Sequence, residues 1–85
     1  MTVVFEGHVQ GVGFRMQTLR VARGFEVAGT VENLPDGTVR LIAEGVPAEL
    51  RAFVAALTEE MRPFIRKTNI DEADVPATLC DFKII

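Results

Sequence analysis

Along this chain the apolar positions alternate between two spacings, the two-residue period of strands and the longer period of helices. Thr2 to His8 alternates weakly and is rich in Val and Phe, which predicts a strand. From Phe14 the spacing lengthens. Phe14, Thr18, Val21, Ala22 and Phe25 fall at i, i+4, i+7, i+8 and i+11, one face of a helix, with Gly24 as its stop signal. Val27 to Asn33 returns to strand character. Leu34-Pro35-Asp36-Gly37 reads as a turn, with Pro preset for the second position and Gly at the fourth. Thr38 to Glu44 alternates Val39, Leu41 and Ala43 against Thr38, Arg40 and Ile42, so the two segments form a hairpin. Pro47 opens a second helix at its tolerated first-turn position, and Leu50, Phe53, Val54, Leu57 and Met61 give it a clean apolar stripe. Glu49 sits in its first turn, where the helix dipole favours a negative charge. Pro63 ends that helix. A strand is expected around Ile65 to Ile70, a loop over Asp74 to Thr78 with Pro76, and a last short strand over Leu79 to Ile85.

The element order is β-α-β-β-α-β plus a short C-terminal strand. It predicts an α+β, ferredoxin-like sandwich, two helices on one face of a mainly antiparallel sheet, as a single domain over residues 1–85. Such a fold hosts many functions and decides none of them. No repeat or linker interrupts it.

Composition narrows the chemistry. The net charge of −3 and the scattered basic residues disfavour polyanions, so no nucleic acid is expected as partner, while a small anion held at one point is compatible. Cys80 is the single cysteine and cannot form an internal disulfide, which suits a reducing compartment. MTVVFEGHV has no basic segment followed by a long apolar one, and no apolar run approaches the roughly 18 residues that span a bilayer. A soluble, cytoplasmic protein with no membrane partner is expected, and nothing demands more than a monomer. There is no serine, so no Ser-His-Asp triad, and one His with one Cys cannot supply a four-ligand structural zinc site. No P-loop occurs, and Gly7, Gly11 and Gly13 miss the spacing of a dinucleotide fingerprint.

What remains is the stretch GHVQGVGFR, residues 7–15. Glycines adopt positive φ without penalty, and successive N–H groups can then point into one concavity that suits an anion. The loop runs into a helix start, whose free N–H groups and positive dipole end point the same way. Arg15 stands there, a cation at the positive end of a dipole. An anion between Arg15 and the loop resolves that conflict, since the guanidinium fork can hold two oxygens of a phosphate or carboxylate. The plainer reading is a strand-to-helix connection with Arg15 in solvent. Asn33, before the hairpin turn, is either a turn cap or, if topology brings it to the glycine loop, an amide able to orient a water. Other candidates read as structural. His8 is a surface residue at a strand end, Gln10 an exposed loop amide that could meet a ligand, and Cys80 a small core residue. Asp71, Glu72 and Asp74 form a solvated acidic group rather than a cation site, and Glu59 and Glu60 do not face each other. Phe5 and Phe82 are expected in the core rather than as stacking platforms for RNA.

GHVQGVGFR resembles the acylphosphatase signature, a Gly-x-Val-Gln-Gly-Val-x-Phe-Arg loop. A second signature of that family, Gly-x-Val-x-Asn followed by Asp-Gly-x-Val, is matched by Gly29 to Asn33 and Asp36 to Val39. Ala22 and Phe82-Lys83-Ile84 also look like family positions, and the resemblance covers nearly the whole chain. It implies that Arg15 binds the substrate phosphate together with backbone N–H groups of Gln10, Gly11, Val12, Gly13, Phe14 and Arg15 itself, and that Asn33 positions the attacking water. It implies hydrolysis of an acyl phosphate to a carboxylate and inorganic phosphate, with no metal, no cofactor and no covalent enzyme intermediate. The sequence departs from the family pattern at Glu26, Thr30 and Leu34, which touch packing and fine positioning. Domains of this family also occur inside larger carbamoyl-transferring maturation proteins, and a non-catalytic anion-binding module of the same fold is the alternative. The 85-residue length, without linker or zinc-finger cysteines, favours a free-standing unit.

Overall fold

The computed structural model of the chain describes residues 1–73 and 81–85. The order is β1 (Thr2–Gly7), α1 (Phe14–Ala22), β2 (Val27–Asn33), β3 (Val39–Gly45), α2 (Pro47–Met61), a 3-10 turn (Arg62–Phe64), β4 (Ile65–Asp71) and β5 (Phe82–Ile84). The five strands form one sheet in the order β4-β1-β3-β2-β5. All pairings are antiparallel except β2 with β5, which is parallel. This is the expected ferredoxin-like arrangement, with the short last strand added at the β2 edge.

Alternation decides which face each strand buries. Val3 and Phe5 of β1, Val31 of β2, and Val39, Leu41 and Ala43 of β3 are buried, and both helices cover that face. The α2 stripe is buried at every expected position, Leu50, Phe53, Val54, Leu57 and Met61. At roughly 25 cal/mol per Å² of apolar surface removed from water, these side chains are the main source of stability. In α1, Phe14, Thr18 and Ala22 are buried and Val21 is half-buried beside the core; the helix ends at Ala22, so Phe25, expected on its apolar face, packs half-buried against the core from beyond it. Thr18 is tolerated there because its hydroxyl donates to the Phe14 carbonyl at 2.8 Å. Phe5 stacks on Phe14 with ring centroids 4.9 Å apart, and Phe82 meets Phe53 edge-on at 5.5 Å, so both are packing residues as expected.

Several boundaries move. β1 ends at Gly7 rather than His8, where a register shift against β4 follows Glu6. β3 begins at Val39 because Thr38 donates its N–H to Asp36 Oδ1 instead of to the sheet. β5 is described only over Phe82–Ile84. The loop expected over Asp74 to Thr78, the start of the last strand at Leu79, and Cys80 lie outside the described residues. Among the described residues no helix is long and apolar enough to cross a membrane.

Candidate active site

The site begins where β1 runs out. Val9 is fully buried and anchors the following loop, while His8 beside it is exposed. Gly11 and Gly13 then take φ of 78° and 77°. A Cβ at either position would meet nothing within 4 Å, so backbone conformation, not lack of space, calls for glycine. Gly13 is the N-cap of α1 and makes no side-chain cap, and its carbonyl receives the Gln17 N–H at 3.0 Å. The first-turn N–H groups of α1 therefore have no partner within the helix. No acidic residue stands in that turn to offset the dipole, and Arg15 adds a positive charge to it. The Arg15 guanidinium donates from Nη1 to the Ile85 carbonyl at 3.3 Å. Among the described residues no carboxylate pairs with it.

The facing wall is supplied by topology. β1 and β2 both flank β3, and Asn33 is the last residue of β2, opposite Val39. It does not cap the turn. That role belongs to Asp36, whose Oδ1 accepts from both the Thr38 N–H (3.0 Å) and hydroxyl (2.7 Å). The turn itself closes through Gly37 N–H to the Leu34 carbonyl at 3.1 Å. Among the described residues, Asn33 Oδ1 is left buried with no hydrogen-bond partner. A buried acceptor of this kind is unfavourable unless a water or ligand donates to it.

Gln10 ties the two walls together. Its amide donates to the Leu34 carbonyl at 2.8 Å and the Thr38 carbonyl at 2.9 Å, so the loop is fixed to the hairpin turn. Its side chain is thus held at the hairpin turn rather than free in solvent, as the expectation of an exposed loop amide had it. The same contact also explains why Leu34 is acceptable there, since it serves through its backbone. Glu26 has a comparable use, its N–H donating to Glu49 Oε1 at the start of α2.

These elements enclose a cleft of about 220 Å³ lined by Gly11, Gly13, Phe14, Arg15 and Asn33, with Val9, Met16 and Ile84 completing it. The topology thus brings together most of the residues singled out in the sequence. Gln10 and Val12 are not among the lining residues, and the Val12 side chain packs against the core. Met16, and the lining roles of Val9 and Ile84, are not among the residues the sequence assigns to the site. Their apolar side chains carry no chemical signal of their own, and β5 joins the site through a parallel pairing, Val31 to Ile84, that no local signal announces. The acidic candidates are engaged elsewhere. Glu72 pairs with Arg51 and Glu59 with Arg62, Glu60 accepts from Gln17, and Asp71 accepts the Ala73 N–H. Asp74 lies outside the described residues, among which no three His, Cys, Asp or Glu side chains gather to hold a metal.

Comparison with known proteins gives concordant results. The acylphosphatase family model matches residues 1–84. An acylphosphatase of Ligilactobacillus salivarius is 36% identical over 83 residues, covering 96% of this chain and 92% of its own. The crystal structure of acylphosphatase from Bacillus subtilis superposes with a TM-score of 0.87 at 29% identity, over 99% of this chain and 94% of that one. HypF of T. kodakarensis matches 99% of this chain with 11% of its own length, at a TM-score of 0.83 and 27% identity.

Proposed function

The chain belongs to the acylphosphatase family, and from that premise we propose that Arg15 and Asn33 carry its reaction. The activity is hydrolysis of the carboxyl–phosphate bond of an acyl phosphate, giving a carboxylate and inorganic phosphate with water as nucleophile. The observation that supports the two assignments is the buried Asn33 Oδ1, without a hydrogen-bond partner among the described residues, in the same cleft as Arg15.

In this reading the phosphoryl group sits at the glycine loop. Backbone N–H groups from Gln10 to Arg15 and the guanidinium fork of Arg15 bind its oxygens, where charge accumulates in the transition state. Asn33 Oδ1 accepts one O–H of a water and aims the water's oxygen at phosphorus. The new P–O bond forms as the bond from phosphorus to the acyl oxygen breaks, and the electron pair leaves with the carboxylate. That carboxylate is the base of an acid with pKa of about 4, so it departs unprotonated at neutral pH and needs no general acid. The proton of the attacking water passes to a phosphoryl oxygen. Positioning and electrostatic stabilisation therefore carry the rate. The site is built within one chain, which fits a monomer, and the lone Cys80 fits a cytoplasmic setting.

Hydrolysis of benzoyl phosphate in H₂¹⁸O with EDTA present tests this chemistry. The expected result is turnover with the label in inorganic phosphate. Label in benzoate would place the attack at the acyl carbon and contradict the roles of Arg15 and Asn33. Loss of turnover in EDTA would contradict metal independence. Phosphate binding without any turnover would favour the anion-binding module.

A further inference from the structure

The mouth of the cleft carries a feature that phosphoryl chemistry does not use. Its lip is apolar and open to solvent. Met16, in the first turn of α1, is 64% exposed, and Ile84 of β5 is 36% exposed. Ile85, whose carbonyl meets Arg15, is 62% exposed. Only Val46 and Ile70 join them as exposed large hydrophobic residues among the described part of the chain. Two of the five thus line one cleft and a third, Ile85, meets its Arg15, although a surface has no packing reason to concentrate them there.

The cleft's size makes this ledge relevant to substrate. At about 220 Å³ it is smaller than the roughly 300–1,000 Å³ of pockets that enclose a whole drug-sized ligand. With the phosphoryl group held at the loop, a bulky acyl substituent such as an aromatic ring reaches Met16 and Ile84, which a small one such as acetyl covers less. Among the described residues that line the cleft, Arg15 is the one charged group, and the phosphoryl oxygens occupy it. An acyl group bearing its own charge finds no counter-ion there. An uncharged apolar one covers Met16 and Ile84 and removes apolar surface from water on both sides. The Met16 thioether is also a favourable neighbour for an aromatic ring.

We infer that Met16 and Ile84 form an acyl-binding ledge that makes the chain selective for acyl phosphates with apolar acyl groups. This rests on the proposed placement of the phosphoryl group at Arg15. Selectivity is read as the ratio of kcat/KM for benzoyl phosphate to kcat/KM for acetyl phosphate. The intrinsic reactivities of the two substrates cancel when each variant's ratio is divided by that of the native protein. Met16→Gln keeps length and helix propensity, and Ile84→Thr keeps the β-branch of a strand residue. Each is expected to lower the ratio by about 5-fold, with Met16→Leu retaining it. A ratio unmoved in both variants, with turnover intact, overturns the ledge and leaves the activity standing. Native protein that turns over neither substrate overturns the activity, and the ledge with it.

Discussion

The small cleft at the glycine loop and the larger cavity between α2 and β4 differ in how far their polar groups are already satisfied. The larger one, about 600 Å³, is lined by Arg51, Glu59, Arg62 and Glu72 beside apolar Val54 and Ile70. By size and by number of ionisable groups it is the stronger candidate. Its charges, however, neutralise one another, Arg51 with Glu72 and Arg62 with Glu59. The cleft holds one cation without a carboxylate partner among the described residues, a helix start without an acid, and an amide oxygen without a donor. Such exposed ion pairs contribute little to stability, and each of these charges already has a partner. Binding capacity resides in groups the fold leaves unsatisfied, and these favour the smaller cavity by a wide margin.

The largest structural effect that would break this contrast is at Gly29, four residues before Asn33. A Cβ there would lie 2.0 Å from the Ile42 carbonyl oxygen and 3.0 Å from Ala43 Cα. Backbone cannot yield as a flexible side chain can. Gly29→Ala is therefore expected to destabilise the fold by about 3 kcal/mol, a fall in Tm on the order of 15 °C in calorimetry. A variant melting within a few degrees of the native protein would show that the β2–β3 pairing is looser than described.

Asn33→Ala comes next. It removes the acceptor proposed to aim the water while leaving Arg15 and the loop in place. A loss of about 10²-fold in kcat is expected, with inorganic phosphate inhibiting almost as well as before. Equal losses in kcat and in phosphate affinity would mean that Asn33 holds the anion rather than the water. Gln10→Ala gives a smaller change. Two hydrogen bonds to half-buried carbonyls are lost, so denaturant unfolding should show about 1–2 kcal/mol of destabilisation. No change in stability would mean that the loop is not held by the hairpin turn.

The smallest effect is at Asp36. Its carboxyl titrates below its ordinary value of 3.8, chiefly because the Thr38 hydroxyl donates to it, with the Thr38 N–H adding to the shift. A folded pKa below the unfolded one stabilises the turn above the unfolded value, and that contribution is lost as pH falls through the folded pKa. An NMR titration should place Asp36 below 3.8 in the native protein and return it towards that value in Thr38→Val. A native value at or above 3.8 would remove Asp36 as the turn cap.

These residues also mark how much was legible in the chain. β2, the hairpin turn and the α2 stripe follow from period and from Pro and Gly placement, signals that are local. Arg15 and the glycine loop stood out because a cation at a helix start conflicts with the dipole. Asn33 is ambiguous in the sequence because both its readings use the same amide, and neither the pairing of β2 with β3 nor the capping of the turn by Asp36 is visible from Asn33 itself. Gly29 matched a signature without a visible cause, since its reason is a close approach of the neighbouring strand. The lining roles of Ile84 and Met16 are not legible because the parallel placement of β5 beside β2 is a long-range fact, and an exposed Met on a helix has no distinguishing pattern.

The central claim is that unsatisfied groups in the small cleft, not paired charges in the large cavity, carry the activity. It is tested most directly by benzoate release from benzoyl phosphate in two arginine variants, each checked for folding by circular dichroism. Arg15→Ala is predicted to lose about 10³-fold in kcat/KM, while Arg51→Ala stays within about 2-fold of the native protein. Full activity in Arg15→Ala, or a comparable loss in Arg51→Ala, would contradict that claim.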